Sequence, residues 1–371
     1  MTPFVLGYAT RPAPLARDRR NLVDDPAVQA LFLPFVDGAL APPARLLWLR
    51  ARAGHGLQQF RSLFPACAIV AEQSFRPFAD ALSASGVEAC AAAAGRYDTV
   101  LVLPPRQRDE ARALLARALD HVAAGGLVVA SVANNEGARA IESDLARLAG
   151  APTTLSKHKC RVFWRRIDAA RIDAALAQHW KDADAPRAIA DGRFLSRPGL
   201  FAWDRIDAAS ALLAAHLPED LAGAGADLGA GYGFLADAVL RRCARVTALD
   251  LYEAEARALE LALRNLAATA AALATPVALG YHWHDVVRGL PRRYDFIVTN
   301  PPFHQGRADQ PELGRGFIRA AAQALAPAGR LLLVANRHLA YEQELQRGFA
   351  QVRVLADEQG FKVIQAQGAR A

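Results

Sequence analysis

Residues 225–250 read GADLGAGYGFLADAVLRRCARVTALD. An apolar run enters a glycine turn, an amphipathic segment follows, and a second apolar run ends in an acid. This is the pattern of strand, tight turn, helix and strand. Outward from it the same alternation continues. EAEARALELALRNLAATAAAL, from Glu253, has helical periodicity, and strands are expected at PVALGYHW (276–283), YDFIVTN (294–300) and GRLLLVAN (329–336), with helices between them. QVRVLA and FKVIQAQ, joined by a tight turn at 358–360, close the chain as a hairpin. Alternating β and α units imply a mostly parallel sheet with helices on both faces, and the hairpin adds an antiparallel strand.

The N-terminal part repeats this plan. RYDTVLVLPPRQR from Arg96 parallels RYDFIVTNPPFHQ from Arg293, and AAGGLVVASVAN from Ala123 parallels APAGRLLLVAN from Ala326. Upstream, LLWLRARAGHG followed by AIVAE parallels ADLGAGYG followed by VTALD. Ordered matches on both sides of KDADAPRAIADG (181–192) indicate two copies of one fold. The expectation is two duplicated doubly wound, Rossmann-like α/β domains, residues 1–185 and 190–371, each with a mostly parallel seven-stranded sheet and a closing antiparallel hairpin.

The chain has 371 residues, 53% hydrophobic and 22% charged, enough apolar material for two cores and unlike a disordered or fibrous chain. No stretch of membrane-spanning length lacks charges, and the start has no basic segment followed by a long apolar one, so a cytoplasmic protein without membrane association is expected. Cys67, Cys90, Cys160 and Cys243 are widely spaced and suit no metal site. The net charge of +7 lies wholly in residues 1–200, with 26 Lys and Arg against 19 Asp and Glu; residues 201–371 have 18 of each. A basic first half suits a polyanionic partner.

The glycine turn has the form D-x-G-x-G-x-G, from Asp227 through Gly229, Gly231 and Gly233. A dinucleotide fingerprint wants a glycine or alanine three residues after Gly231, where Phe234 stands, so NAD is disfavoured. The next strand is expected to end at Asp250, where a carboxylate can accept hydrogen bonds from two ribose hydroxyls. The third runs into Asp285, which can meet an exocyclic adenine amine or simply begin a loop. Acids at the carboxyl ends of strands in such a sheet point to an adenosyl ligand held without a pyrophosphate cradle.

The fourth strand ends in Asn300, Pro301, Pro302 and Phe303. Two prolines stiffen the turn and remove two N–H donors. The Asn300 side-chain oxygen and the Pro301 carbonyl can then accept both hydrogens of a planar amino group. Such a group is a poor nucleophile because its lone pair is delocalised into the ring. Two acceptors favour its pyramidal, reactive form and hold it in line with an electrophile. Phe303 offers a face on which a base can stack. Pro302 and His304 are expected on the substrate side, although His304 also reads as a polar loop residue.

With these motifs, residues 200–371 resemble a class I S-adenosylmethionine-dependent methyltransferase. The duplication, NPPFH and the lead-in FLSRPGLFAWDRIDAASALLAAHLP (194–218) make the whole chain similar to the tandem-domain ribosomal RNA guanine methyltransferases of the small-subunit methyltransferase C type and their large-subunit relatives. The resemblance implies methyl transfer from S-adenosylmethionine to a guanine exocyclic amine in ribosomal RNA or a ribosomal subunit or assembly intermediate. Family members usually have a glycine after the lead-in aspartate, where this chain has Ala208 after Asp207. Asn-Pro-Pro turns also serve methyltransferases acting on DNA adenine or protein glutamine, and a non-catalytic RNA-binding protein is a third reading.

In the first copy, Arg50 and Arg52 are read opposite Asp227 and Gly229, Gly54 and Gly56 opposite the later glycines, and Leu103 and Arg106 opposite Asn300 and Phe303. Glu72, read opposite Asp250, becomes a remnant or a solvated acid. A copy stripped of this chemistry is expected to hold RNA. Its basic stretch KHKCRVFWRR (157–166), read as one strand, would place Lys157, Lys159, Arg161 and Arg165 on one face to grip phosphates, or serve only as an insulated sheet edge.

Overall fold

The computed structural model describes residues 25–302, 304–305, 308–309, 311–338 and 341–370. Its first sheet contains β1 (Arg45–Leu49), β2 (Ala68–Glu72), β3 (Ala89–Cys90), β4 (Tyr97–Val102), β5 (Val122–Ala133), β6 (Thr153–Lys157) and β7 (Cys160–Arg166), in the order β3-β2-β1-β4-β5-β7-β6. The ladders through β5 are parallel, and β7 runs antiparallel to both β5 and β6. Next comes an antiparallel ribbon of β8 (Arg187–Ile189) and β9 (Phe194–Ser196).

The second sheet repeats the first. It starts with β10 (Ala222–Leu228), β11 (Arg245–Glu253), β12 (Ala278–Trp283) and β13 (Tyr294–Thr299). A two-residue ribbon, β14 (His304–Gln305) with β15 (Ala308–Asp309), precedes β16 (Leu325–Asn336), β17 (Phe349–Glu358) and β18 (Phe361–Ala369). The order is β12-β11-β10-β13-β16-β18-β17. The closing hairpin turns at Gln359 and Gly360, both at positive φ, as two-residue hairpin loops require.

The central strands are buried on both faces, which is why they read as near-continuous apolar runs. In the first sheet Leu47, Leu49, Val100 and Val102 pack with Leu114 and Leu115 of the helix Arg108–His121. On the opposite face Leu46, Trp48 and Leu101 meet Phe32, Phe35 and Phe60. In the second sheet Phe296, Val298 and Leu332 lie in one core with Val239 and Leu266, and Ile297, Leu331 and Leu333 lie in the other with Phe317 and Ile318. Chain contacts divide the molecule between Pro186 and Arg187. Arg197–Gly199 group with the first unit, and the residues from Leu200 onward with the second.

The basic stretch is not one strand. Lys157 ends β6, and His158 and Lys159 form the turn at φ of 51° and 57°. β7 begins only at Cys160. This separates the four basic residues assigned to one face. Lys157 and Lys159 are exposed at the hairpin tip. Arg161 instead donates to Glu142 at 2.6 Å, and Arg165 donates to the Ala149 and Ala151 carbonyls at 3.3 and 3.4 Å. Phe163, between Arg161 and Arg165 in sequence, is fully buried. Burial alone would raise the Glu142 carboxyl, but Arg161 and Thr154 outweigh it and hold the pKa below its ordinary value. Arg161→Gln should therefore cost about 1 kcal/mol in chemical denaturation, the scale of a half-screened charged hydrogen bond. Replacing Lys157 and Lys159 together by glutamine should leave the unfolding midpoint unchanged.

Candidate active site

The site is built where β10 and β13 end side by side. Leu228 pairs with Thr299, and the buried Thr299 hydroxyl donates to the Leu228 carbonyl at 2.7 Å. Immediately beyond, Gly229, Gly231 and Gly233 take φ of 73°, 55° and 94°, a region that strongly favours glycine. The Gly229 and Ala230 amides donate to the Tyr252 carbonyl at 2.8 and 3.2 Å, tying the turn to β11. A Cβ on Gly229 would stand 3.3 Å from the Phe317 ring and 3.9 Å from the Asn300 carbonyl oxygen. One on Gly231 would meet nothing within 4 Å, so open space lies beside the turn.

Asp227 is fully buried beneath this turn, and neither carboxylate oxygen has a hydrogen bond of ordinary geometry among the described residues. Burial pushes its pKa up to about 8, and the Ala236 amide offsets this only in part. The acid beside the glycine turn is Glu253. One of its oxygens accepts from the Gly231 amide at 2.8 Å, the other from the Glu255 amide at 2.8 Å. Burial also raises the Glu253 carboxyl, against those two hydrogen bonds. A lone pair not taken by backbone amides can accept from a ligand hydroxyl.

Asp250 does not occupy the place expected of it. β11 continues three residues further, to Glu253, so Asp250 sits inside the strand, paired with Ala226 and Gly280. Its carboxylate accepts from the Tyr294 hydroxyl at 2.7 Å and pairs with Arg292 at 3.0 Å, and His282 lies 3.3 Å away. Burial would raise its pKa, but His282, Tyr294 and Arg292 hold it below the ordinary value. These partners occupy a carboxylate that was expected to bind ribose. Asp285 does lie just past the end of β12, where it caps the short helix Val286–Arg288 by accepting from the Val287 amide at 3.1 Å.

Asn300 follows β13 directly. Its Nδ2 donates to Asp207 Oδ2 and to Ser210 Oγ, both at 2.9 Å. Oδ1 takes no hydrogen bond from any described residue. Pro301 is buried and Pro302 half-buried. Phe303 lies outside the described residues, and His304 is described only as backbone in β14. Two further anchors were not evident in the sequence. Asn265 donates to the Tyr232 and Leu195 carbonyls at 2.8 and 3.0 Å. The Tyr232 hydroxyl donates to the Arg205 carbonyl at 3.1 Å, fastening the lead-in segment to the glycine turn. Among the described residues no group of three or more His, Cys, Asp or Glu could hold a metal, and no helix is long and apolar enough to cross a membrane.

Strand pairing also corrects the comparison of the copies by two residues. β1 ends at Leu49, paired with Val102, as β10 ends at Leu228, paired with Thr299. Trp48 therefore stands at the place of Asp227, Arg50 at that of Gly229, Arg52 at that of Gly231 and Gly54 at that of Gly233. Arg50 even keeps the positive φ, 55° against 73° for Gly229. Its guanidinium donates to the carbonyl of Leu103, the counterpart of Asn300, at 3.2 Å. Ala51 donates to the Glu72 carbonyl as Ala230 does to Tyr252, which places Gln73 opposite Glu253. The Gln73 amide bonds the Ala51 carbonyl at 2.6 Å and the Phe75 amide at 2.9 Å. Glu72 is no solvated acid: it is buried and accepts from Arg117 and from the Ala93 amide.

A 3-2-1-4-5-7-6 sheet with its cleft at the point where strand order reverses places the chain among the class I S-adenosylmethionine-dependent methyltransferases. The residues present suit that cofactor: open space beside Gly231, the Glu253 carboxyl at its edge, and an unpaired buried acid below. Comparison with known proteins narrows the class. Residues 191–365 match the family model of the methyltransferase small domain. The ribosomal RNA small subunit methyltransferase C of Pseudomonas aeruginosa is 31% identical over 281 residues, 74% of this chain and 80% of that protein. The ribosomal RNA large subunit methyltransferase G of Alcanivorax borkumensis is 37% identical over 180 residues, 47% of this chain and 44% of that one. The structure of the T. thermophilus 16S rRNA N2 G1207 methyltransferase (RsmC), in complex with AdoMet and guanosine, superposes with a TM-score of 0.74 and 25% identity over 94% of this chain and 93% of that one. The chain belongs to the ribosomal RNA small subunit methyltransferase C family.

Two outcomes follow from the site. Because the folded state raises the Asp227 pKa from 3.8 to about 8, it binds that proton more tightly than the unfolded chain does. The resulting stability is full below about pH 4 and is lost as pH rises through about 8. Asp227→Asn should flatten this decline in unfolding free energy of the cofactor-free protein between about pH 4 and pH 8. Gly229→Arg, which copies Arg50 of the first unit, should abolish S-adenosylmethionine binding in calorimetry while leaving the circular dichroism spectrum unchanged.

Proposed function

We propose that the chain transfers a methyl group from S-adenosylmethionine to the exocyclic amine of a guanine in small-subunit ribosomal RNA. The observation that carries this reading is Asn300. It stands directly after β13 beside the glycine turn, with its nitrogen engaged by Asp207 and Ser210 and its oxygen left to accept. The relatives' names supply the base and the RNA, and an enzyme acting on an amino group needs the acceptor this residue provides.

When bound, the cofactor supplies an electrophilic methyl group on a positively charged sulfur. Gly229, Gly231 and Gly233 let the backbone approach it, Glu253 accepts from its ribose hydroxyls, and Asp285 receives its adenine amine through the oxygen not used in capping. Asp227 lies beneath, where a positive charge on the sulfur would favour its ionised form. Asn300 Oδ1 and the Pro301 carbonyl accept the two N–H bonds of the target amine, orienting its lone pair towards the methyl group. The nitrogen would gain the methyl carbon as that carbon's bond to sulfur breaks, leaving a neutral thioether, and its extra proton would pass to water, so no strong base is required. Pro302, Phe303 and His304 are assigned to the face that receives the base, which must leave its stack to reach this recess. Residues 190–371 thus form the catalytic domain. Residues 1–185 hold RNA, with Lys157 and Lys159 at the hairpin tip as phosphate contacts.

Asn300→Ala should lower methyl transfer by about 100-fold, the scale for removing one oriented polar group, with S-adenosylmethionine affinity unchanged. Loss of cofactor binding along with activity would reassign Asn300. Transfer of labelled methyl into small-subunit ribosomal RNA, and not into large-subunit RNA, DNA or protein, tests the substrate.

A further inference from the structure

We infer that Asp207 is a positioning residue for methyl transfer: its carboxylate decides which end of the Asn300 amide faces the substrate. The inference rests on the reading of Asn300 as the amine acceptor. The two ends of an asparagine amide have nearly the same shape, and only their partners determine which is oxygen and which nitrogen. Turned the wrong way, Asn300 would present two donors to a substrate amine that is itself a donor. Ser210 cannot prevent this, because a hydroxyl both donates and accepts. Asp207 can, because an ionised carboxylate only accepts.

The geometry is specific. Asp207 Oδ2 lies 2.9 Å from Asn300 Nδ2, across 93 residues of sequence. The same oxygen accepts from the Ser210 amide at 2.9 Å, which fixes the carboxylate at the start of the helix Ala208–Ala215. The preceding segment is held in turn by the bond from Tyr232 to the Arg205 carbonyl. A reversed amide would set its oxygen against the carboxylate and forfeit a charge-assisted hydrogen bond. Donation to an anion also shifts electron density towards Oδ1, making it the stronger acceptor.

The test separates the carboxylate's two tasks. In Asp207→Ser the shorter hydroxyl still caps the helix but no longer reaches Asn300. In Asp207→Asn one oxygen remains to accept both bonds. The serine variant should lose about tenfold or more in kcat, with the KM for RNA, the Kd for S-adenosylmethionine and the thermal midpoint held, and the asparagine variant should recover most of the rate. In an Asn300→Ala background, Asp207→Ser should cost nothing further. A parental kcat in the serine variant, an equal loss in the Asn300→Ala background, or loss of cofactor binding or stability together with activity would each overturn the inference. If Asn300→Ala itself keeps full activity, it is the acceptor reading that fails. If Asn300→Ala is inactive and Asp207→Ser is not, only the role of Asp207 fails.

Discussion

The hydrogen bond from the buried Thr299 hydroxyl to the Leu228 carbonyl closes the ends of two central strands against each other, and the site depends on that closure. It brings the glycine turn and the Asn-Pro-Pro turn, 71 residues apart in sequence, to one edge. Close approach then dictates composition. Gly229 has the Phe317 ring on one side and the Asn300 backbone on the other, so a side chain there fills the cleft. The first copy shows this directly, with Arg50 in the same left-handed conformation and its guanidinium on the Leu103 carbonyl.

The second copy also carries two acids whose ionisation burial opposes. Asp227 and Glu253 are both raised by burial, so the cofactor-free site is held at some expense in stability, which a ligand bearing positive charge and hydroxyl donors offsets by binding. In the first copy Trp48 and Gln73 stand at these two places, and an aromatic ring and an amide leave no acid at either. One backbone plan thus carries two sets of side chains. The second copy keeps the strained carboxyls, whereas the first has none at those places.

The sheets, their parallel ladders, the closing hairpin of the second copy, the duplication, the glycine turn and the position of Asn300 were all legible in the sequence. Apolar runs, glycines and prolines act within a few residues of themselves, so period and punctuation report them. The order of matched segments carried the duplication without any spatial information. The same local rules misplaced the end of β11. ALDLYE can stop at Asp250 or run on to Glu253, and the acids of EAEARALE suit a helix start as well as a strand end. They also let KHKCRVFWRR pass for one strand, although two of its non-glycine residues turn the chain at positive φ.

What the sequence determined by itself was the set of elements and their order, because backbone propensity and apolar patterning are local. Only the tertiary structure decided which acid stands beside the glycine turn, which residues of the two copies correspond, and that Asp207 grips Asn300 from 93 residues away. Those matters rest on strand register and on hydrogen bonds between distant segments. A shift of two or three residues there leaves the local pattern intact but exchanges one functional side chain for another.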